Sequence, residues 1–208
     1  MIEYVVESNP DDRILMRASQ ILQNGGLLCF PTETNWVVVA DPFIKNSIDK
    51  LYRLRHVDNT KHFTILCESI SKAQEIAFID DQAFKLLKRL IPGSYTFIFE
   101  AKKEITRYLK ASKTDKEVGI RFPPQKLSQK IIQAHGNVLI STHLTPEMLN
   151  IEDDGNAIYS ALIEDFLGHQ INLIIDPGEY EFLGQTTIID FTSGSPELVR
   201  QGIGEFPH

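Results

Sequence analysis

The sequence has little of several features that mark particular classes of protein. It has two cysteines among 208 residues, Cys29 and Cys67, and their positions show neither zinc-site spacing nor a disulfide framework. Each lies in an apolar run, which predicts a small core residue. No apolar run is long enough to span a membrane, and the acidic start MIEYVVESNPDD does not resemble a signal peptide. The sequence therefore predicts a cytoplasmic protein without membrane association.

Several motifs of nucleotide, metal and hydrolase chemistry are also absent. The chain has no Walker A loop, no GxGxxG and no GxSxG elbow, and its six histidines lack paired metal spacing. We therefore expect no metal held by protein side chains. The net charge of −7 argues against a broad nucleic-acid surface, although it permits a local cationic groove. A bound nucleotide would have to be held by arginines and hydroxyl groups.

The order of apolar patterns predicts an α/β fold. Apolar runs of strand length alternate with segments of helical spacing, the first of which starts at Asn9 and Pro10. Three late strands, at Leu173–Asp176, Thr187–Phe191 and Leu198–Arg200, are separated by Pro/Gly turns and indicate an antiparallel portion. No linker rich in Gly, Ser or Pro appears, so we expect a single domain over residues 1–208.

The stretch Leu27–Ala40, LLCFPTETNWVVVA, holds a polar loop between two predicted core strands. Pro31 fixes its own φ and favours an extended Phe30, which makes the loop stiff. The loop Thr32–Asn35 offers two hydroxyls, a carboxylate and an amide, which suits the orientation of a small polar ligand. The alternative is a plain crossover loop with satisfied hydroxyls.

Cationic side chains cluster in the segment KLYRLRHVDNTKH. Arg53, Arg55 and Lys61 lie near a predicted helix end, where their charges could converge on a phosphate. The alternative is a solvated helix end whose cations the helix dipole favours. Arg121 and Arg200 each lie at the end of a predicted strand. Ligands of α/β proteins often bind at such strand ends, so either arginine could contact a ligand. The alternative is that each forms a surface ion pair.

The stretch VLISTHLT ends an apolar strand in a group of hydrogen-bonding side chains. Ser141, Thr142, His143 and Thr145 could line a ligand. No hydrolase triad accompanies His143, so it is predicted to orient a ligand as a hydrogen-bond donor rather than to act as a general base.

Taken together, these stretches resemble the YrdC-like family, and its YciO branch in particular. The resemblance extends from about Leu15 to Gly204 and rests on six modest motifs that occur in the family's order. They read PTETNWVV from Pro31, Arg53-Leu54-Arg55, Pro92-Gly93-Ser94-Tyr95-Thr96, VGIRFP from Val118, His143-Leu144-Thr145, and Thr186-Thr187 with Arg200.

The resemblance implies a single twisted mixed sheet flanked by helices, with a deep cationic groove. It also implies a synthase that converts L-threonine, bicarbonate and ATP with Mg²⁺ into threonylcarbamoyl-adenylate and pyrophosphate, for modification of tRNA. The nucleotide would be held by Arg53, Arg55, Lys61, Thr145 and Arg200. The threonine would be held by Thr34, Arg121, His143 and Thr186, with Arg121 on its carboxylate.

Departures from the family pattern affect the implied activity more than the implied fold. Arg53 replaces the motif lysine, His143-Leu144-Thr145 replaces Ser-x-Asn, and Leu66 stands where a histidine is usual. These changes resemble the YciO branch and imply weak or altered synthase activity. The alternative is a non-catalytic protein of the same fold that binds a nucleotide, tRNA or double-stranded RNA.

Overall fold

The ten strands of the described residues form one mixed sheet, which confirms the predicted fold class. The structure is a computed structural model that describes residues 1–55, 63–106, 116–152 and 157–206. The order across the sheet is β1-β8-β2-β3-β7-β4-β6-β5-β9-β10. The strands are β1 Ile2–Tyr4, β2 Leu28–Pro31, β3 Trp36–Ala40, β4 Thr64–Leu66, β5 Tyr95–Glu100, β6 Glu117–Arg121, β7 Leu139–His143, β8 Leu173–Asp176, β9 Thr187–Asp190 and β10 Glu197–Arg200.

Helices flank this sheet, and their ends follow local sequence signals. Asp11 caps the first helix by accepting from the Arg13 N–H at 2.8 Å, and Gly136 ends the sixth helix in a left-handed conformation. The helices are α1 Asp12–Gln23, α2 Lys45–Arg55, α3 Ile70–Ile76, α4 Asp81–Leu90, α5 Lys103–Thr106, α6 Lys126–His135, a 3-10 helix Pro146–Leu149 and α7 Ser160–Leu167. No helix of the described ranges is both long and apolar enough to cross a bilayer.

The central strands β2 and β3 are buried on both faces, which explains their nearly continuous apolar sequence. On one face, Phe30 and Val39 join a cluster that includes residues of α1 and α6. On the other face, Cys29, Val38 and Ala40 join the larger core cluster. Cys29 and Cys67 are buried free thiols, as predicted.

The face that α1 and α6 cover near β2 and β3 becomes polar further along the sheet. Thr64 of β4 is in register with Ser141 of β7 and Gly119 of β6, so these positions share one face. On the same face, Thr96 of β5 is in register with Ile188 of β9. The three hydroxyl-bearing residues on this face, Thr64, Ser141 and Thr96, are called the polar strip below, and Thr64 and Ser141 form part of the floor of the candidate site.

Three sequence predictions need correction. Asp11 rather than Asn9 caps α1, because the Asp11 carboxylate reaches the free N–H of Arg13. Strand β7 continues to His143, since its ladder to β3 pairs Val37 with His143. Strand β8 does not join the late antiparallel portion, because it lies parallel between β1 and β2. Of the three late strands, β9 and β10 are the pair that is antiparallel. The prediction of one domain over residues 1–208 stays a prediction.

Close packing at Gly202 holds the end of β10 against the segment before β9. The Gly202 N–H donates to Thr187 Oγ1 at 2.9 Å, and the next N–H, of Ile203, donates to the Gln185 carbonyl at 2.9 Å. A methyl group at Gly202 would overlap the Gln185 carbonyl and the Thr186 backbone. The position therefore requires glycine because two backbones approach closely.

We predict that Gly202→Ala lowers the free energy of unfolding by about 1–3 kcal/mol, because the overlap can be relieved only by backbone movement. Urea unfolding measures the effect. Ser195→Ala, in an exposed turn, is the control and should change stability by less than about 0.5 kcal/mol. Equal stability of Gly202→Ala and the parent protein would contradict the close packing.

Candidate functional site

A cavity of about 570 Å³ lies over Thr64 and Ser141 of the polar strip. Its volume falls within the range of about 300–1,000 Å³ that is typical of small-molecule sites. Two arginines and one glutamate supply its charges, and hydroxyl groups supply much of its other polar lining. The lining residues that matter here are Arg55, Thr64, Ser141, His143, Thr145, Glu147 and Arg200.

Arg200 is fixed at one wall of the cavity by neutral oxygen atoms. Its Nη2 and Nε donate to the Thr186 carbonyl at 2.9 and 3.2 Å. The Thr186 hydroxyl in turn lies 2.8 Å from the Thr96 hydroxyl of the polar strip. Within the described residues, no carboxylate neutralises the Arg200 guanidinium. The predicted site residues Thr186 and Arg200 are therefore brought together, and the charge of Arg200 faces a cavity of ligand size.

Arg55 ends α2 and lines the same cavity. Its guanidinium lies over the Phe63 ring, 4.9 Å from the ring centroid, in a cation–π arrangement. Partial burial lowers the pKa of the Arg55 guanidinium, but the group stays charged at neutral pH because an arginine normally titrates above about 12. The stacked ring orients the side chain at the cavity wall.

The other predicted nucleotide residues differ in position. Thr145 lines the cavity with Arg55 and Arg200. Arg53 is exposed, its Nε donates to the Asp49 carbonyl at 3.3 Å, and it is not among the residues that line the cavity. The reason is that α2 continues through both arginines, and residues two apart on a helix point to different sides. Lys61 lies outside the described residues.

The loop between β2 and β3 is held by its own hydrogen bonds. The backbone N–H and the hydroxyl of Thr32 both donate to the Asn35 carbonyl at 2.9 Å. The Asn35 amide donates to the Leu144 carbonyl at 3.1 Å, which ties the loop to the end of β7. These contacts agree with the stiffness predicted from Pro31, and they direct Glu33 into the protein interior.

Glu33 and Arg121 form a buried ion pair at the base of this loop. Arg121 Nη2 donates to Glu33 Oε1 at 2.5 Å, and the side chains are 2% and 0% exposed. Glu33 Oε2 and Arg121 Nε have no hydrogen-bond partner in the described part of the chain. Any substrate carboxylate that bound Arg121 would therefore share the guanidinium with Glu33.

His143 connects this ion pair to the surface of the site. Its Nε2 lies 3.1 Å from Arg121 Nη1 and 3.3 Å from Thr34 Oγ1. The structure thus brings together three of the residues predicted to hold the amino acid. His143 itself has an exposed side chain and lines the cavity, whereas Arg121 is buried behind it.

The surroundings of His143 favour the neutral imidazole. Loss of hydration in the concave wall lowers the pKa of His143 to about 4, and the positive charges of Arg121 and Arg200 lower it further in the same direction. The ring is therefore uncharged near pH 7.

Sequence reasoning assigned no role to Glu33, although it noted the carboxylate of the loop. The available signal was a single acidic residue next to buried strands, which requires a cationic partner. Arg121, at the end of the apolar segment VGIRF, was the matching cation.

Among the described residues, no three histidine, cysteine or acidic side chains gather in a way that could hold a metal ion.

Comparison with known proteins places the chain in a family. The family model for Sua5, YciO and YrdC proteins, described as "Telomere recombination", matches residues 20–202. The chain belongs to this family. The YciO protein of Escherichia coli K12 is 34% identical over 205 residues, which cover 97% of this chain and 95% of YciO. The threonylcarbamoyl-AMP synthase of Pyrococcus abyssi is 26% identical over 89% of this chain and 53% of its own length.

Solved structures agree with the fold. The crystal structure of Escherichia coli YciO superimposes with a TM-score of 0.83 at 30% identity, and the match covers 99% of this chain and 97% of YciO. The Pyrococcus abyssi Sua5 structure complexed with L-threonine gives a TM-score of 0.82 at 23% identity, over 97% of this chain and 57% of Sua5. The predicted family and its YciO branch are thus confirmed.

We predict that Glu33→Gln lowers the free energy of unfolding by about 3 kcal/mol, because it leaves the buried Arg121 charge uncompensated. Urea unfolding at neutral pH measures the loss. The double variant Glu33→Gln/Arg121→Met removes both charges and should regain part of that stability. A double variant no more stable than Glu33→Gln would show that the two side chains are not energetically coupled.

The low pKa of His143 predicts a pH-dependent stability difference. The unfolded chain binds the imidazole proton near the usual pKa of about 6.5, whereas the folded chain resists it until about pH 4. The parent should therefore lose stability relative to His143→Gln as the pH falls from 6.5 to 4. We expect a change on the order of 1 kcal/mol, because solvent in the cavity screens the charges. A pH-independent difference in urea midpoints would contradict the lowered pKa.

Proposed function

We propose that this protein is an ATP-dependent synthase that forms threonylcarbamoyl-adenylate, or a closely related acyl-adenylate, and releases pyrophosphate. The observation that supports the proposal most is the cavity itself. Arg55 and Arg200 line it, and His143, which contacts Arg121 and Thr34, forms another part of its wall. Under this proposal, the phosphate and acyl sites would adjoin in one cavity.

The proposed reaction needs positioning and fixed positive charge more than a covalent group. The amine of L-threonine combines with bicarbonate, with loss of water, to give a carbamate. A carbamate oxygen then attacks the α-phosphorus of ATP as pyrophosphate leaves. Both partners are anions, so cations between them reduce their repulsion and align them. Arg55 and Arg200, which line the cavity, would do this for the phosphates. Mg²⁺ would enter with ATP and shield the phosphate charge.

The relatives support the substrate class. Two more distant relatives are named threonylcarbamoyl-AMP synthase and putative threonylcarbamoyl-AMP synthase, and one structure of this fold is complexed with L-threonine. By the same relationship, the adenylate would serve the threonylcarbamoyl modification of tRNA in the cytoplasm. Arg53 and Thr145 replace the motif lysine and asparagine of the family, so we propose that turnover is weak or altered.

A second function is a non-catalytic protein of the same fold that binds a nucleotide or double-stranded RNA. The observation that favours it is Thr145, which lines the cavity where the family motif has asparagine. A threonine offers one short hydroxyl in place of an amide that both donates and accepts. Loss of one aimed donor at a reacting centre can lower a rate by about two to three orders of magnitude.

The proposed function is tested with labelled ATP, bicarbonate and L-threonine, with pyrophosphate and the adenylate as products. The reaction with all three substrates should release pyrophosphate, and omission of L-threonine should stop it. Pyrophosphate release with no dependence on L-threonine would contradict the substrate assignment. Nucleotide binding without any pyrophosphate release would favour the second function.

We predict that Arg55→Gln and Arg200→Gln each weaken ATP binding by about tenfold or more, because each removes a charge-assisted phosphate contact. Calorimetry at low salt measures the affinity, since salt screens such contacts. The matched control is Arg89→Gln on the exposed end of α4. Arg53→Gln tests whether the motif or the cavity determines ATP binding, because Arg53 belongs to the motif but does not line the cavity. We expect it to change the ATP affinity less than Arg55→Gln does. An equally large loss of affinity would place the phosphates outside the cavity.

A further inference from the structure

A second cavity lies on the opposite face of the sheet from the polar strip. Its volume is about 400 Å³, which is within the range of about 300–1,000 Å³ that is typical of small-molecule sites. Because side chains alternate along β5, Phe99 points to the face opposite Thr96, and it packs in the larger core cluster. Phe191, which follows β9, stacks on Phe99 with 5.0 Å between the ring centroids. Both rings line the second cavity and give it an aromatic wall.

Backbone hydrogen bonds fix the walls of the second cavity. The Phe191 N–H donates to the Ile98 carbonyl at 2.9 Å, which continues the ladder between β5 and β9. The Phe78 N–H donates to the Glu100 carbonyl at 2.9 Å, which ties the segment after α3 to the end of β5. Phe78 is 58% exposed and also lines the cavity. The cavity is therefore formed before any ligand binds, as is usual for small-molecule sites.

Lys102 supplies a fixed positive charge at the rim of the second cavity. Its Nζ donates to the Gln74 carbonyl and lies 5.5 Å from the centroid of the Phe78 ring. Gln74 and Phe78 both line the cavity, as does Lys102 itself. In the part of the chain that the structure describes, Lys102 forms no ion pair. Its partners therefore orient the ammonium group without neutralising it, which leaves its charge available to a carboxylate.

Asp80 supplies a fixed negative charge at the same rim. Its Oδ1 accepts from the Ala83 N–H at 2.8 Å and caps α4, and Ala83 and Asp80 both line the cavity. Its Oδ2 has no hydrogen-bond partner among the described residues. Asp80 follows Phe78 by two positions, so their Cα atoms are at most about 7 Å apart. A cation and an anion thus border one cavity, close together but not paired with each other.

We propose that the second cavity binds a free amino acid with a large apolar side chain. The carboxylate of this ligand contacts Lys102, its ammonium group contacts Asp80, and its side chain packs on Phe99 and Phe191. A zwitterion with an apolar side chain matches both the two unpaired charges and the aromatic wall. Within the described residues, the second cavity shares no lining residue with the candidate site, so the inference does not rest on the proposed synthase function.

The ligand class is tested by calorimetry of the parent protein with L-phenylalanine and three analogues. Phenethylamine lacks the carboxylate, 3-phenylpropanoate lacks the ammonium group, and glycine lacks the side chain. We expect L-phenylalanine to bind, and each analogue to bind about tenfold more weakly or worse, because each loses one of the three contacts. No binding of L-phenylalanine up to millimolar concentration overturns the inference. Equal affinity for either singly charged analogue also overturns it, because the ligand would then not be recognised as a zwitterion.

Two substitutions remove the charges of the second cavity without removing a buried group. We expect Lys102→Gln and Asp80→Asn each to weaken L-phenylalanine binding by about tenfold, since each loses a charge-assisted contact. Asparagine is as good a helix cap as aspartate, so Asp80→Asn should keep α4 intact. The matched controls are the exposed neighbours, Lys103→Gln and Asp81→Asn, which should bind as the parent does.

A third pair of variants tests the location of the ligand. Arg200→Gln and His143→Gln alter the cavity of the candidate site, so they should leave the affinity for L-phenylalanine unchanged. Weaker binding in these two variants, with parental affinity in Lys102→Gln, would place the ligand in the candidate site and overturn the inference. Either result is independent of whether the parent releases pyrophosphate.

Methyl NMR of the alanines locates the ligand directly in the parent protein. Ala77 and Ala83 line the second cavity, whereas Ala18 packs in the cluster on the opposite face. Addition of L-phenylalanine should shift the Ala77 and Ala83 methyl signals and leave the Ala18 signal in place. Unchanged Ala77 and Ala83 signals at a concentration that saturates binding would overturn the inference.

Discussion

The buried ion pair between Glu33 and Arg121 is the interaction on which the rest of the candidate site depends. It joins the loop after β2 to the end of β6, and those strands are not neighbours in the sheet. Through Arg121 it also fixes His143 at the end of β7. A buried pair of this kind adds little net stability, but the loss of either partner is costly. It therefore acts mainly to specify one arrangement of the loop.

The division of one sheet face explains why the cavity lies where it does. Near β2 and β3 the face is apolar, and residues of α1 and α6 cover it. Beyond β7 the register presents Thr64, Ser141 and Gly119 on the same face. Hydroxyl side chains and a glycine offer little apolar surface, so a helix gains little stability by packing on them. They suit a polar ligand that approaches the backbone closely. The same ladder thus supports the core and the floor of the site.

Much of the fold could be predicted from the sequence because its elements have strong local signals. Helix α4 and strand β8 lie at their predicted bounds, since a cap, a proline stop and continuous apolar runs define them. The edge strand β1 was missed because three residues, one of them charged, give no clear periodicity. The pairing of Glu33 with Arg121 links residues 88 apart in the chain, and no local pattern encodes such a contact. The motif suggested that Arg53 and Arg55 act together, but the length of α2 separates them.

The arrangement of charges also explains how an acidic protein can offer a site for anions. The net charge of −7 describes the whole chain, whereas an anion responds to the few charges that surround it. Arg121 lies buried behind His143 and forms an ion pair with Glu33, so its charge is partly compensated before it reaches the cavity. Arg200 differs, since its hydrogen-bond partners are the carbonyl and hydroxyl oxygens of Thr186. Those neutral partners fix its direction without cancelling its charge. The two ends of the cavity therefore differ in charge: Arg55 and Arg200 line one part of it, and the neutral imidazole of His143 lines another.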